Sequence, residues 1–175
     1  MALRIAIIGA GLGGLAAGLF LRKAGVEAAI YEQGPELREV GAGIVVSPNM
    51  VRPLKQLGLS GELEKAAVRL DAAWEFRHAV LPFFAQGAAQ AIEDAVVLAR
   101  CLQSADRDSV PQALQRYESI RRPRTSQVQV MSRGREVRNY LPDGPEQQRR
   151  DAELGDGDPL RDSAWLYGYD AKADL

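Results

Sequence analysis

The sequence predicts an α/β fold in which a parallel βαβ unit carries an incomplete sheet and is followed by C-terminal helices. Three observations predict it. A β-branched run, Ile5–Ile8, ends in glycine within "LRIAIIGAG". An Ala/Leu-rich segment and a second short apolar run come next, closing a strand–turn–helix–strand unit. From about Ala88 onward, Ala91, Ile92, Ala95, Leu98, Ala99 and Leu102 recur at helical spacing.

Composition narrows the function. The 175 residues are enough for one ordinary domain. Hydrophobic residues make up 46% and charged residues 26%, the balance of a soluble globular chain rather than a disordered one. A net charge of -1 gives no pull toward nucleic acid or an anionic membrane, so neither is expected as a partner. The single cysteine, Cys101, excludes an internal disulfide and suits a reducing compartment. It sits in "VVLARCL", where a buried inert thiol is expected. With one histidine, His78, no metal site built from several His or Cys ligands is expected. The apolar N-terminus lacks a charged n-region followed by a small-residue cleavage site. No apolar run is long enough to span a bilayer. The expectation is a cytoplasmic protein.

The elements follow in order. Ile5–Ile8 reads as a buried parallel strand. "LGGLAAGLFLRKAG" is made of helix formers and stops at Lys23 and Gly25. "VEAAIYE" gives the second strand, over Ala28–Tyr31. Gly9, Gly11 and Gly14 make G-x-G-x-x-G between the first strand and the helix. The first glycine permits the tight turn, the second lets backbone approach a pyrophosphate, and the third lets helix and strand pack closely. Around Leu12 and Gly13 the helix begins, offering unpaired N–H groups and a positive dipole end to phosphates. Glu32, followed by Gln33, stands where an acid should hold a ribose hydroxyl pair. An acid there selects a free 2′-OH, favouring FAD or NAD over NADP. The alternative for these glycines is a tight structural turn without a ligand.

Three stretches, "GAGLGGLAAGLFLRKAG", "YEQGPELREVGAGI" and "SPNMVRPLKQLGL", resemble the opening of FAD-dependent aromatic hydroxylases of the salicylate hydroxylase and 3-hydroxybenzoate 6-hydroxylase kind. The resemblance implies a Rossmann-like FAD-binding fold of the glutathione-reductase type. It also implies that Glu32 binds the FAD ribose, and that Arg38 and the backbone near Gly43 to Val45 lie beside the cofactor. The alternative for Arg38 is a solvated surface arginine. By the same resemblance, FAD is reduced by NADH or NADPH. Reduced flavin then reacts with O2, and a small phenolic or benzoate-type ring is hydroxylated.

The second cofactor segment is "HAVLPFFAQGAAQAIEDA". Pro82 and Gly87 mark a turn that leads into a helix, exposing another set of N-terminal amides. In the resembled family this turn meets the pyrimidine edge of the flavin. A helix N-terminus there stabilises the negative charge of reduced flavin. The resemblance places Ala85, Gln86, Gly87, Ala88 and Ala89 against the ring, with Pro82 near the reacting face. His78 and Pro82 are the only weak candidates for a catalytic role. His78 could equally be structural in its turn.

The family's central part is missing from the sequence, and its two ends meet near Arg77–His78. Trp74 and Glu75 fall where the family has a glycine and an aspartate. "WEFR" is nevertheless too bulky for a turn that lets backbone approach a cofactor. A true peptide link would hold the Arg77 and His78 Cα atoms about 3.8 Å apart. Residues 1–77 therefore read as the N-terminal dinucleotide-binding part. Residues 78–175 read as the flavin-ring turn plus C-terminal helices of the same domain, and the substrate domain is largely absent. The short sheet, with its unpaired edges, raises a homo-oligomer as an expectation.

The C-terminal part reads as helical to about Arg138, with Pro123 kinking or dividing it. Its arginines, among them Arg121 and Arg124, read as a solvated, salt-bridged face. "DAELGDGDPLRDSAWLYGYDA" reads as an irregular polar linker. Its aromatic tail, with Trp165, Tyr167 and Tyr169, is expected to pack back onto the domain. Three functions stay open on the sequence: an aromatic hydroxylase, a non-catalytic FAD- or nucleotide-binding module, and a truncated remnant.

Overall fold

Two short strands pair with Ile5, Ile7 and Ala28 turned toward the core, while Ala6, Ile8 and Tyr31 lie exposed on the opposite face. In a computed structural model, which describes residues 3–37, 43–68, 86–156 and 158–173, β1 (Arg4–Ile8) and β2 (Glu27–Tyr31) form a two-stranded parallel sheet. The register runs from Arg4 opposite Glu27 to Ile8 opposite Tyr31. The right-handed return needed between parallel strands is made by α1 (Leu12–Lys23). Arg22 and Lys23 in its last turn favour the negative end of the dipole. Gly25, at φ +79°, reverses the chain into β2.

Past the sheet, α2 (Pro48–Gln56) and α3 (Ser60–Ala66) form a helical pair. Next come α4 (Gly87–Leu102) and the long α5 (Val110–Asn139). The chain closes with α6 (Pro145–Asp156) and the short α7 (Pro159–Asp162) and α8 (Ala164–Tyr167). The core is the layer between α1 and α4. Ala16, Phe20 and Leu21 of α1 meet Ala89, Ile92, Val96 and Val97 of α4, and Met50 and Leu54 of α2 seal its side. Small residues allow the helices to approach closely: a Cβ on Gly13 would stand 3.3 Å from the Ala91 Cβ.

Both strands, α1 and α4 form where the sequence predicts, but β1 is only half-buried, with Ala6 and Ile8 exposed on its open face, rather than a buried strand. Three further expectations change. Arg121 and Arg124 are buried, at 2% and 7% exposure, rather than solvated. They close on Glu93, which is fully buried in the middle of α4. Arg121 Nη1 donates to Glu93 Oε2 at 3.0 Å and Arg121 Nε to Asp94 Oδ1 at 2.6 Å. Arg124 Nη2 donates to Glu93 Oε1 at 3.3 Å. Second, α5 continues through Pro123 as one helix. The two anchored arginines flank the proline and hold both halves on α4, which offsets the lost backbone bond. Third, residues 151–156 belong to α6 rather than to a linker.

The aromatic tail does pack back. Leu166 is fully buried, and Arg124 lies over the rings of Tyr169 and Trp165, at 4.3 Å and 5.6 Å from their centroids. Arg52 Nη1 donates to the carbonyls of Tyr167 and Tyr169, both at 2.8 Å. Burial pushes the Cys101 thiol pKa up, as expected of an inert thiol and not of a nucleophile. No helix is long and apolar enough to cross a membrane among the described residues.

Candidate functional site

The turn after β1 is pinned by two bonds to the end of β2. Gly9 N–H donates to the Tyr31 carbonyl at 2.7 Å, and Ala10 N–H donates to Glu32 Oε2 at 2.7 Å. Gly34 N–H donates to Glu32 Oε1 at 2.9 Å. The acid that ends β2 is thereby fixed beside the glycine turn. These donors, Ala10 first and Gly34 second, hold the Glu32 carboxyl below its ordinary pKa. Each carboxylate oxygen keeps a lone pair free to accept a hydroxyl.

The three motif glycines have different reasons to be glycine. Gly9 sits at φ +100°, a conformation other residues resist. A Cβ on Gly14 would lie 2.0 Å from the Gly9 carbonyl oxygen, so helix and turn could not both keep their places. Gly11 is different. Its backbone is extended, at φ -67° and ψ 177°, and an added Cβ would meet no described residue within 4 Å. Among the described residues none gives a steric reason for glycine at position 11, and the space beside it is open.

That space lies at the start of α1. The first intrahelical bond is Leu15 N–H to the Gly11 carbonyl. The N–H groups of Leu12, Gly13 and Gly14 precede it and have no intrahelical carbonyl to meet. Among the described residues no side chain caps this end, and no acid stands in its first turn.

The start of α4 repeats the pattern. Gln90 N–H to the Gln86 carbonyl is its first bond, leaving the amides of Gly87, Ala88 and Ala89 ahead of it. Again, among the described residues no side chain caps the helix, and a Cβ on Gly87 would meet none of them within 4 Å. Gly13 is the second residue of α1 and Ala91 the fifth of α4, so their contact brings both N-terminal ends to one side of the molecule. Two uncapped positive dipole ends side by side suit an anionic, extended ligand.

The other sequence candidates fall as follows. Leu12, Gln33 and Val45 are exposed, whereas the side chains of Gln86 and Ala89 are buried. Gln86 and Ala89 therefore have only main chain to offer a ligand. Arg38, His78, Pro82, Ala85 and the Arg77–His78 junction lie outside the described residues. Among the described residues no group of three His, Cys, Asp or Glu side chains could hold a metal ion.

Residues 2–77 match the family described as FAD binding domain. The chain is 47% identical over 103 residues to a 3-amino-4-hydroxybenzoate 2-monooxygenase of Streptomyces platensis, a match covering 59% of this chain and 26% of that protein. It is 41% identical over 75 residues to a 6-hydroxynicotinate 3-monooxygenase of Pseudomonas fluorescens, covering 43% of this chain and 19% of the relative. It is 42% identical over 67 residues to a 3-hydroxybenzoate 6-hydroxylase of Aquipseudomonas alcaligenes, covering 38% and 17%. The chain resembles the FAD-dependent aromatic hydroxylases. It spans about a quarter of the length of the first of these relatives. FAD is the cofactor to which the hydroxylase family points. The site fits it: open space beside Gly11 and Gly87, two rows of unspent amides, and a fixed carboxylate acceptor at Glu32.

The Asn49–Glu93–Arg124 cluster went unnoticed in the sequence. One signal was present. Glu93 falls between Ala89 and Val97 at four-residue spacing, on the apolar stripe of α4. A carboxylate on a core stripe calls for a buried cation.

Proposed function

We propose that this chain is the FAD-binding part of an NAD(P)H- and O2-dependent hydroxylase of a small phenolic or benzoate-type substrate. The observation that carries the proposal is the open, unspent N-terminus of α1 beside Gly11, with Glu32 clamped next to it. In this reading the amides of Leu12, Gly13 and Gly14 bind the pyrophosphate. Glu32 accepts from the adenosine ribose hydroxyls, and Gln33, Arg38 and the backbone near Val45 lie beside the cofactor. The turn from Ala85 to Ala89 faces the flavin ring with its main chain, and the dipole of α4 favours negative charge there. His78 and Pro82 stand near the ring without an assigned acid or base role. When bound, FAD supplies the redox chemistry and the activation of O2.

Residues 1–77 and 78–175 are taken as parts of one FAD-binding domain of the glutathione-reductase type. The packing of α1 on α4 supports that division. A second reading is a flavin-binding module without chemistry, which rests on the same two helix ends and Glu32. The test is to add FAD to the purified chain and follow NADH and NADPH consumption with a panel of hydroxybenzoates. Flavin uptake with substrate-stimulated consumption supports the hydroxylase. Uptake without it supports the module, and no uptake overturns both.

A further inference from the structure

Six buried polar residues, Ser47, Asn49, Gln86, Glu93, Arg121 and Arg124, form one hydrogen-bonded cluster that reaches the first turn of α4. Asn49 is its branch point. Its Nδ2 donates to Gln86 Oε1 at 2.8 Å and to Glu93 Oε1 at 2.6 Å, and its Oδ1 accepts from Ser47 Oγ at 2.8 Å. A side-chain amide is suited to this place because it brings two donors and no charge. Glu93 is held from its other side by both arginines. Arg124 also donates to the carbonyls of Trp165 at 3.1 Å and Leu166 at 2.9 Å. The cluster therefore ties the C-terminal segment to α4.

Gln86 is the N-cap residue of α4, yet its side chain does not cap the helix. Asn49 draws it into the interior, and Gln86 Nε2 donates to Ser47 Oγ at 3.4 Å. The first-turn amides of Gly87 and Ala88 are left uncapped. We propose that Asn49 is a positioning residue for the flavin-ring end of the site. Acting through Gln86, it fixes the direction of the α4 amides, and it has no part in holding the ADP half at α1 and Glu32. The inference rests on the reading that the α4 turn faces the flavin.

The test compares the full chain with Asn49→Ala, Gln86→Ala and the double variant. It measures FAD and ADP affinities separately, together with the visible absorption band of bound flavin. Asn49→Ala is expected to bind FAD about tenfold more weakly, as loss of a buried hydrogen bond implies. Its flavin band is expected to shift, while its ADP affinity stays within about twofold of the parent. Gln86→Ala should show the same split, and the double variant should be no weaker than Asn49→Ala alone. Equal loss of FAD and ADP binding overturns the positioning role, since general loosening of the fold does that. Unchanged FAD affinity and spectrum overturn it too. Should Asn49→Ala fail to fold, Gln86→Ala alone decides by the same split. A parent chain that binds neither ligand overturns the functional reading and this inference together. A parent that binds both while the variants bind as it does overturns the inference alone.

Discussion

Gly11 and Gly14 are three residues apart in one motif, and the structure asks opposite things of them. Alanine at position 14 would drive its Cβ into the Gly9 carbonyl. Gly14→Ala is expected to cost about 3 kcal/mol and lower Tm by roughly 10 °C in thermal unfolding. Among the described residues alanine at position 11 meets no atom, at backbone angles any residue adopts. Gly11→Ala should leave Tm unchanged or slightly raised. It should nonetheless weaken FAD binding by about tenfold or more, because its methyl fills the approach to the pyrophosphate. Glu32 is tested in the same way. Removing its charge-assisted bonds with Glu32→Gln should weaken ADP binding by roughly tenfold or more in calorimetric titration. The sign of its pH dependence follows from its depressed pKa. Stabilisation from its bonds is present above the unfolded-state pKa and is lost as pH falls through the folded value. ADP affinity should therefore hold through neutral and mildly acidic pH and fall in stronger acid. The Gln variant should lose that acid limb.

Among the elements, the βαβ unit was legible because each of its signals is local. β-branched runs, helix formers and glycines act within a few residues of themselves, and β1, α1, β2 and α4 form where those signals lie. The α4–α5 interface was not legible. Periodicity counts apolar residues, and this contact is made by Glu93, Asp94, Arg121 and Arg124. Read by pattern alone, arginines on a polar helix look solvated, and only the carboxylates facing them reveal otherwise. The helix at residues 151–156 was hidden for a related reason: a polar, Gly-containing sequence carries little local preference. The arginine anchors also set the stability of this element pair. Glu93→Leu leaves the buried Arg124 guanidinium without its carboxylate and Arg121 with Asp94 alone, and should destabilise the chain by about 3–5 kcal/mol. Denaturant titration measures this, and a change under about 1 kcal/mol would refute the buried anchor.

For the molecule as a whole, the open sheet is the telling feature. Among the described residues β1 and β2 pair only with each other, and Ile8 and Tyr31 are 83% and 58% exposed. Unpaired strand edges with apolar side chains invite a partner. The chain should elute above its monomer mass in size-exclusion chromatography with light scattering, and Ile8→Lys should shift it toward the monomer. The match to a quarter of an aromatic monooxygenase fits this picture, since two helix ends without a side-chain cap among the described residues lie beside a small sheet. Function at this scale depends on whether those ends bind what they are shaped for. The most direct measurement is a titration of the purified chain with FAD, followed by flavin fluorescence, with Gly11→Ala run in parallel. Saturable binding of one FAD per chain is expected, competed by ADP and strongly weakened in a Gly11→Ala protein of unchanged Tm. Absence of binding, or equal binding by the parent and Gly11→Ala, would contradict it.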